Sequence, residues 1–276
     1  MCVLPPPLSN RYDVEIGIVR FPYVGFYDEA RLAALGRQDM QEYLAALVRF
    51  QQEQFAFYQQ EYLGFAYTMA QGRCRITQAD IEGMLRMREQ EEAPLLQLPG
   101  DDAAVCAKYG IAGDFVLLQC GSGIIFKGAA DTRNWPMASW ESLVRRLKRE
   151  RPQLLVVQLG AAYHTPIPGC DLHLLGRTSL REAICLLRAA RLLIAHEGGF
   201  PFMRYVFAGK VSCVMYGPTD ARFYGIPGNI NLSSGACSGC EVHRDWFRRC
   251  LRGDAVPRCM AALSPEAVYE RIAPLL

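Results

Sequence analysis

Leu175 to Gly199 reads LGRTSLREAICLLRAARLLIAHEGG, and this stretch decides the fold. Ser179, followed three residues on by Glu182, forms a capping box, in which a hydroxyl and a carboxylate satisfy backbone N–H groups that a helix start leaves without partners. Ile184, Leu186 and Leu187 supply the apolar face of the helix that follows. Leu192 to Ala195 is a short apolar run and reads as a strand, with the polar, glycine-bearing tip His196-Glu197-Gly198-Gly199-Phe200 at its end. A helix leading into such a strand is the unit from which a parallel sheet with crossover helices is built.

The same alternation extends in both directions. Upstream, Phe115 to Gln119 reads as a strand, Ser139 as the cap of a helix bearing Trp140, Leu143, Val144 and Leu147, and Leu154 to Leu159 as a second strand. Downstream, Phe200 to Phe207 is expected to be helical, Val211 to Tyr216 and Asn229 to Leu232 to be strands, and Ser264-Pro265 to open a last helix through Val268 and Ile272. With right-handed crossovers these elements predict an α/β fold with one open, doubly wound parallel sheet, whose ligand crevice lies at the C-terminal ends of its strands.

Residues 28 to 70 differ in kind. They are rich in Ala, Leu, Gln, Glu, Phe and Tyr, with apolar residues such as Leu44, Leu47, Val48, Phe55, Tyr58 and Tyr62 at helical spacing. A second helix is expected from Thr77 to the acidic run Glu89 to Glu92, and Ala93 to Asp102, with Pro94, Pro99 and Gly100, reads as a linker. The expected division is a mostly helical region 1–100, serving as a reduced acceptor or oligomerisation domain, and a Rossmann domain 101–276.

Thirty Lys and Arg against 28 Asp and Glu leave a formal charge of +2, too little to draw the chain onto nucleic acid or anionic lipid, so any polyanion is met at a local site. No apolar run approaches the ~18 residues of a membrane span and MCVLPPPLSN lacks a signal-peptide pattern, so the expected location is the cytoplasm.

Three strand ends carry the chemistry. Cys120-Gly121-Ser122-Gly123 ends the first, where glycine lets backbone N–H groups approach a phosphate, and Lys127 and Arg133 follow as cations for a departing diphosphate. The structural alternative is a tight turn that needs positive φ. Glu197-Gly198-Gly199 adds a carboxylate for sugar hydroxyls, or, in the plainer reading, a helix cap. Gly217-Pro218-Thr219-Asp220 ends another strand and is a turn signal in its own right. All three are expected to open on one crevice.

Cys237-Ser238-Gly239-Cys240, then Cys250 and Cys259, is the spacing of a four-thiolate metal finger spanning 237–259, with zinc and iron equally suited to sulfur ligation and a structural role. The other seven cysteines are scattered, several in apolar runs where a thiol behaves as a small hydrophobe. His164 and His173 are expected in loops as surface or capped residues. His243 falls inside the finger, and Trp246 and Phe247 are expected to form its small core.

The succession GSG, RNWP before a helix with a tryptophan, LGRTSLREAICLLRAARLLIAHEGG and VMYGPTDARFYG resembles the C-terminal donor domain of glycosyltransferase family 9, the ADP-heptose-dependent heptosyltransferases of GT-B fold. The resemblance covers Tyr109 to Leu276. It implies an inverting transferase that moves a heptose-like sugar from an ADP-sugar to a glycan or protein acceptor. It also implies that Arg133, two positions before Trp135, contacts donor phosphate and that Glu197 stands for the family's sugar-contacting acid. Where the family has a histidine five positions after that acid, this chain has Phe202. The finger is similar to that of the autotransporter heptosyltransferase branch, which implies iron.

The family also has an N-terminal Rossmann domain that supplies an aspartate base. Ile16 to Phe21 followed by Gly25 resembles that domain's first strand and turn, with Phe26 where the aspartate is expected and Asp28 two places on as the substitute base. Two function classes follow: an active transferase completed by self-association, or a non-catalytic or half-enzyme subunit that binds a nucleotide or partner protein.

Overall fold

The computed structural model describes residues 14–18, 22–38, 41–42, 45, 96–121, 132–237, 240 and 249–276. The chain divides into two compact units, Met1–Glu89 and Gln90–Leu276. The helix expected from Thr77, most of the aromatic-rich stretch before it, Ser122, Gly123, Lys127, His243, Trp246 and Phe247 lie outside the described residues.

In the first unit, strands β1 (Val14–Ile18) and β2 (Pro22–Tyr27) form an antiparallel hairpin, followed by helix α1 (Glu29–Ala34). The strand expected around Ile16 is therefore present, but it is paired with its immediate successor and not through a crossover. Asp28 caps α1, its carboxylate accepting from the Arg31 N–H at 3.0 Å.

The second unit holds a six-stranded sheet. Its strands are β3 (Phe115–Gln119), β4 (Leu155–Gly160), β5 (Leu172–Leu175), β6 (Leu192–His196), β7 (Ser212–Met215) and β8 (Ile230–Leu232), in the order β5-β4-β3-β6-β7-β8. Every neighbouring pair is parallel, with Leu117 opposite Val157 and Leu118 opposite Ile194. The order runs outward from β3 in one direction and then, from β6, in the other. Crossovers on the two sides lie on opposite faces, so a crevice opens between the ends of β3 and β6.

Alternation along β3 explains the two faces. Val116 and Leu118 pack with Trp140, Leu143, Val144, Val268 and Ile272 of helices α3 (Met137–Glu150) and α8 (Pro265–Ile272). Phe115 and Leu117 pack with Ala183, Leu186 and Leu187 of helix α4 (Leu180–Ala189), beside helix α2 (Asp102–Lys108). A side chain such as Leu118 or Leu186, with no exposure left, contributes roughly 1.5–3 kcal/mol by leaving water. Among the described residues no helix is long and apolar enough to cross a membrane.

Three local expectations change. Helix α3 starts at Met137 with Pro136 as its cap, and Ser139 lies inside the first turn with its N–H on the Pro136 carbonyl. Proline presets the helical entry and brings no N–H that needs a partner, so it outcompetes the serine three residues on. His173 lies in β5, not a loop; its Nδ1 is 2.8 Å from Gln158 Oε1. The stretch read as a linker is tied to α4: Arg188 donates to the Leu98 carbonyl at 2.7 Å and to both Asp102 oxygens.

Candidate functional site

A cavity of about 480 Å³ lies at the ends of β3, β4 and β6. Gly121, Arg133, Glu197, Gly198 and Gly199 of the expected set line it, together with Gln119, Tyr163, His164, Thr178, Leu180, Phe200 and Met203.

The glycines at the ends of β3 and β4 have a job that the sequence does not disclose. Gly121 has φ +100, and a Cβ on it would stand 2.8 Å from the His164 ring; on Gly160 a Cβ would stand 2.5 Å from His164 Nδ1. The two missing side chains make the seat of one imidazole. That ring accepts the Ala161 N–H on Nδ1 at 3.3 Å, and its Nε2 is buried with no partner among the described residues. The Tyr163 ring stands edge-on to it at 4.8 Å. Behind this loop the fully buried Gln158 donates to the Thr165 carbonyl at 2.9 Å and accepts from the Ile167 N–H at 2.8 Å. The signal for this element was Gly160 at a strand end, one turn before a histidine.

At the end of β6, Glu197 meets Arg133. Arg133 Nη1 is 3.4 Å from Glu197 Oε2, both side chains about one-fifth exposed, and Thr219 Oγ1 donates to the same oxygen at 3.3 Å. Helix α5 (Gly199–Ala208) begins here with Gly198 as its cap, without a side-chain cap bond. Gly198, Gly199 and Phe200 at this helix start line the cavity, so the partial positive charge of the helix N-terminus adjoins it. Glu197 is therefore partnered by a cation and a hydroxyl, and the plainer expectation of a carboxylate capping the helix is not what its hydrogen bonds show.

His196, one residue earlier, is buried, with Nε2 accepting the Trp135 N–H at 2.9 Å. Its pKa is depressed to about 3, first by burial and then by the positive charge of Arg133 and by His164. The ring is therefore neutral.

The third tip behaves differently. Pro218 and Thr219 are buried and Asp220 is half-buried, its carbonyl accepting the Tyr224 N–H of a short helix, α6 (Ala221–Tyr224). A Cβ on Gly217 would stand 2.3 Å from Met260 Sδ and 3.1 Å from Cys259 Sγ, so this glycine makes room for helix α7 (Arg258–Ala261). None of residues 217–220 lines the cavity, and Thr219 reaches the site only through Glu197.

Cys259 is buried, and its thiol is pushed up to about 12 by burial and by Cys237 and Cys240 beside it. Three of the four spaced sulfurs are thus neighbours. Among the described residues, however, no group of three or more His, Cys, Asp or Glu side chains is arranged to hold an ion. Neutral thiols gain little from one another; in such sites the ion supplies the cohesion. None of the nine described cysteines is joined in a disulfide.

No family model matches the chain, and neither does any curated protein. Solved structures do. The chain is similar to E. coli ADP-heptose LPS heptosyltransferase II, with 17% identity over 70% of this chain and 56% of that one and a TM-score of 0.50. A glycosyl transferase family 9 protein from Veillonella parvula matches at 13% identity over 71% and 57%, TM-score 0.51. The iron-containing dodecameric glycosyltransferase TibC from enterotoxigenic E. coli matches at 19% over 70% and 51%, TM-score 0.52; TibC is also known in complex with ADP-D-beta-D-heptose. At these identities the likeness is one of fold, and the chain spans about half the length of the proteins it matches. The expectation of a GT-B-like, doubly wound α/β domain holds.

Proposed function

We propose that this chain is an inverting glycosyltransferase that moves a heptose-like sugar from an ADP-sugar to a glycan or protein acceptor. The observation that carries this reading is the cavity at the switch point of the sheet, with the Arg133 cation and the Glu197 carboxylate 3.4 Å apart on its wall.

In this reading the diphosphate binds where Arg133 and the first N–H groups of α5 face the cavity. The bond from the sugar's anomeric carbon to the diphosphate breaks, the electron pair leaves with the phosphate, and Arg133 and the helix N-terminus stabilise that charge as it develops. Arg133 exchanges part of its hold on Glu197 for phosphate, which frees Glu197 Oε2 to accept from sugar hydroxyls. Tyr163, Leu180, Phe200 and Met203 give the cavity an apolar side suited to a nucleobase. The acceptor oxygen attacks the opposite face of the sugar and its proton passes to a general base. Ser122, Gly123 and Lys127 belong to the phosphate end of this proposal, and Gly217 to Asp220 to its outer support. Cys237, Cys240, Cys250 and Cys259 hold a structural iron or zinc ion, supported by their spacing and by the proximity of Cys259 to Cys237 and Cys240. Bound there, the metal would tie the region after β8 to α7. We further propose that the protein is cytoplasmic and assembles with copies of itself or a partner subunit.

The test is turnover of ADP-heptose by the purified chain, read as ADP release and sugar transfer. Arg133→Ala is expected to lower turnover about 100-fold or more, the scale of losing one stabilising group at a developing charge; Glu197→Ala should raise KM for the sugar nucleotide while leaving ADP affinity nearly intact. Binding of ADP-heptose without turnover, with glycan and protein acceptors alike, decides for the half-enzyme subunit, a reading favoured by Phe202, which is 53% exposed where the resemblance leads one to expect a histidine. Elemental analysis settles the metal: a preparation with neither iron nor zinc, whose unfolding is indifferent to chelator, rejects the finger.

A further inference from the structure

We infer that His196 is the positioning residue of this site: by accepting the Trp135 N–H, its imidazole clamps the segment that carries Arg133 onto the strand end that carries Glu197. The inference rests on the reading of the cavity as a nucleotide-sugar site.

The geometry is that of a register pin. Arg133 precedes Trp135 by two residues and Glu197 follows His196 by one, so a single bond of 2.9 Å between Trp135 N and His196 Nε2 fixes where the cation and carboxylate stand relative to each other. The segment is held from behind by the Trp135 indole, which donates to the Leu263 carbonyl at 2.8 Å. Trp140 stacks edge-on against both Trp135, at 5.1 Å, and His196, at 5.5 Å.

An imidazole is a costly choice for packing alone. Because Nε2 accepts, the proton sits on Nδ1, and that N–H is buried with no partner among the described residues. An aliphatic side chain would fill the space against Trp140 without that penalty. What it would not supply is an acceptor for the Trp135 N–H, a main-chain donor that is otherwise stranded in the core. The preceding strand residues, Leu192 to Ala195, are all apolar, and the polar side chain enters at the single position next to Glu197.

The experiment measures the affinity of the full chain for ADP and for adenosine by calorimetry, with the unfolding midpoint of each variant recorded. His196→Leu, which removes the acceptor, is expected to weaken ADP about tenfold, the scale of one misplaced charge contact, and to leave adenosine within about twofold. His196→Gln, which restores an acceptor, should recover most of the ADP affinity. In an Arg133→Ala background His196→Leu should add nothing further, because the two residues act through one contact. If His196→Leu does not fold, His196→Asn, whose amide is too short to reach the Trp135 N–H, takes its place. Equal weakening of ADP and adenosine, or unchanged ADP affinity in a folded variant, overturns the inference. Should the wild-type chain bind neither ligand, the nucleotide reading fails on its own. The clamp is then judged by amide exchange: the Trp135 N–H must be protected in wild type and His196→Gln and lose that protection in His196→Leu. Equal protection in all three overturns it.

Discussion

At Gly160 the missing side chain is the structural feature. A Cβ there would sit 2.5 Å from His164 Nδ1, a separation that real contacts do not tolerate, so Gly160→Ala must displace the imidazole from its seat. The expected cost is about 1–3 kcal/mol, as for other overpacked sites, read by urea unfolding at neutral pH; a variant as stable as wild type would mean the ring is not where the fold puts it. His196 gives a second consequence at this scale. Its folded pKa of about 3 lies below the ordinary 6.5, so between those values the unfolded chain binds a proton that the folded chain refuses. The stability tied to this ring is fully present above pH 7 and is lost as pH falls through 6.5 toward 3. From pH 7 to pH 5 the loss should be on the order of 2 kcal/mol, and His196→Leu should flatten that dependence. A profile of equal slope in the variant would assign the effect to other groups.

At the scale of the element, α4 starts with the reciprocal cap expected from its sequence. Ser179 Oγ accepts the Glu182 N–H at 3.3 Å, and Glu182 Oε2 accepts the Ser179 N–H at 2.8 Å. The Glu182 carboxyl lies at about 2, held down first by Lys108 and then by Ser179. Ser179→Ala should cost about 1 kcal/mol and lower Tm by about 2–5 °C for a domain of this size. Because Thr178, Ser179 and Leu180 line the cavity, the frayed turn should also weaken ADP; a lower Tm with unchanged ADP affinity would separate the cap from the site. The other end of α4 shows what element-level signals miss. Pro94, Pro99 and Gly100 mark a linker by composition, yet Arg188 binds the Leu98 and Gly100 carbonyls and the Asp102 carboxylate, more than 80 residues away in sequence.

At the scale of the molecule, the order β5-β4-β3-β6-β7-β8 places a reversal of winding between β3 and β6, and the cavity lies at that reversal. A ligand that binds there bridges elements packed on both faces of the sheet, so its binding free energy adds to global stability. At an ADP concentration 100 times its Kd the gain is about 2.7 kcal/mol, a Tm rise of several degrees by calorimetry. No rise with ADP or ADP-heptose at millimolar concentration would remove the nucleotide reading.

The parallel α/β alternation, the capping box at Ser179, the Ser264-Pro265 helix start and the strand-end placement of Glu197 are legible in local sequence alone. Each of these is written in neighbouring residues, through periodicity, caps and glycine. The sequence also carried Arg133 and Glu197 to one site by resemblance, although nothing local sets them 3.4 Å apart. Which glycines serve the cavity and which serve packing emerges from the folded arrangement. Gly217 yields to Met260 and Gly160 to His164, because a glycine's purpose is set by whatever occupies the volume it leaves. The fold likewise drew His164 from an expected surface position onto the cavity wall, and made His196 the partner of Trp135 across 61 residues. Such partnerships depend on the order of strands in the sheet, and that order is a property of the whole chain's packing that no local pattern records.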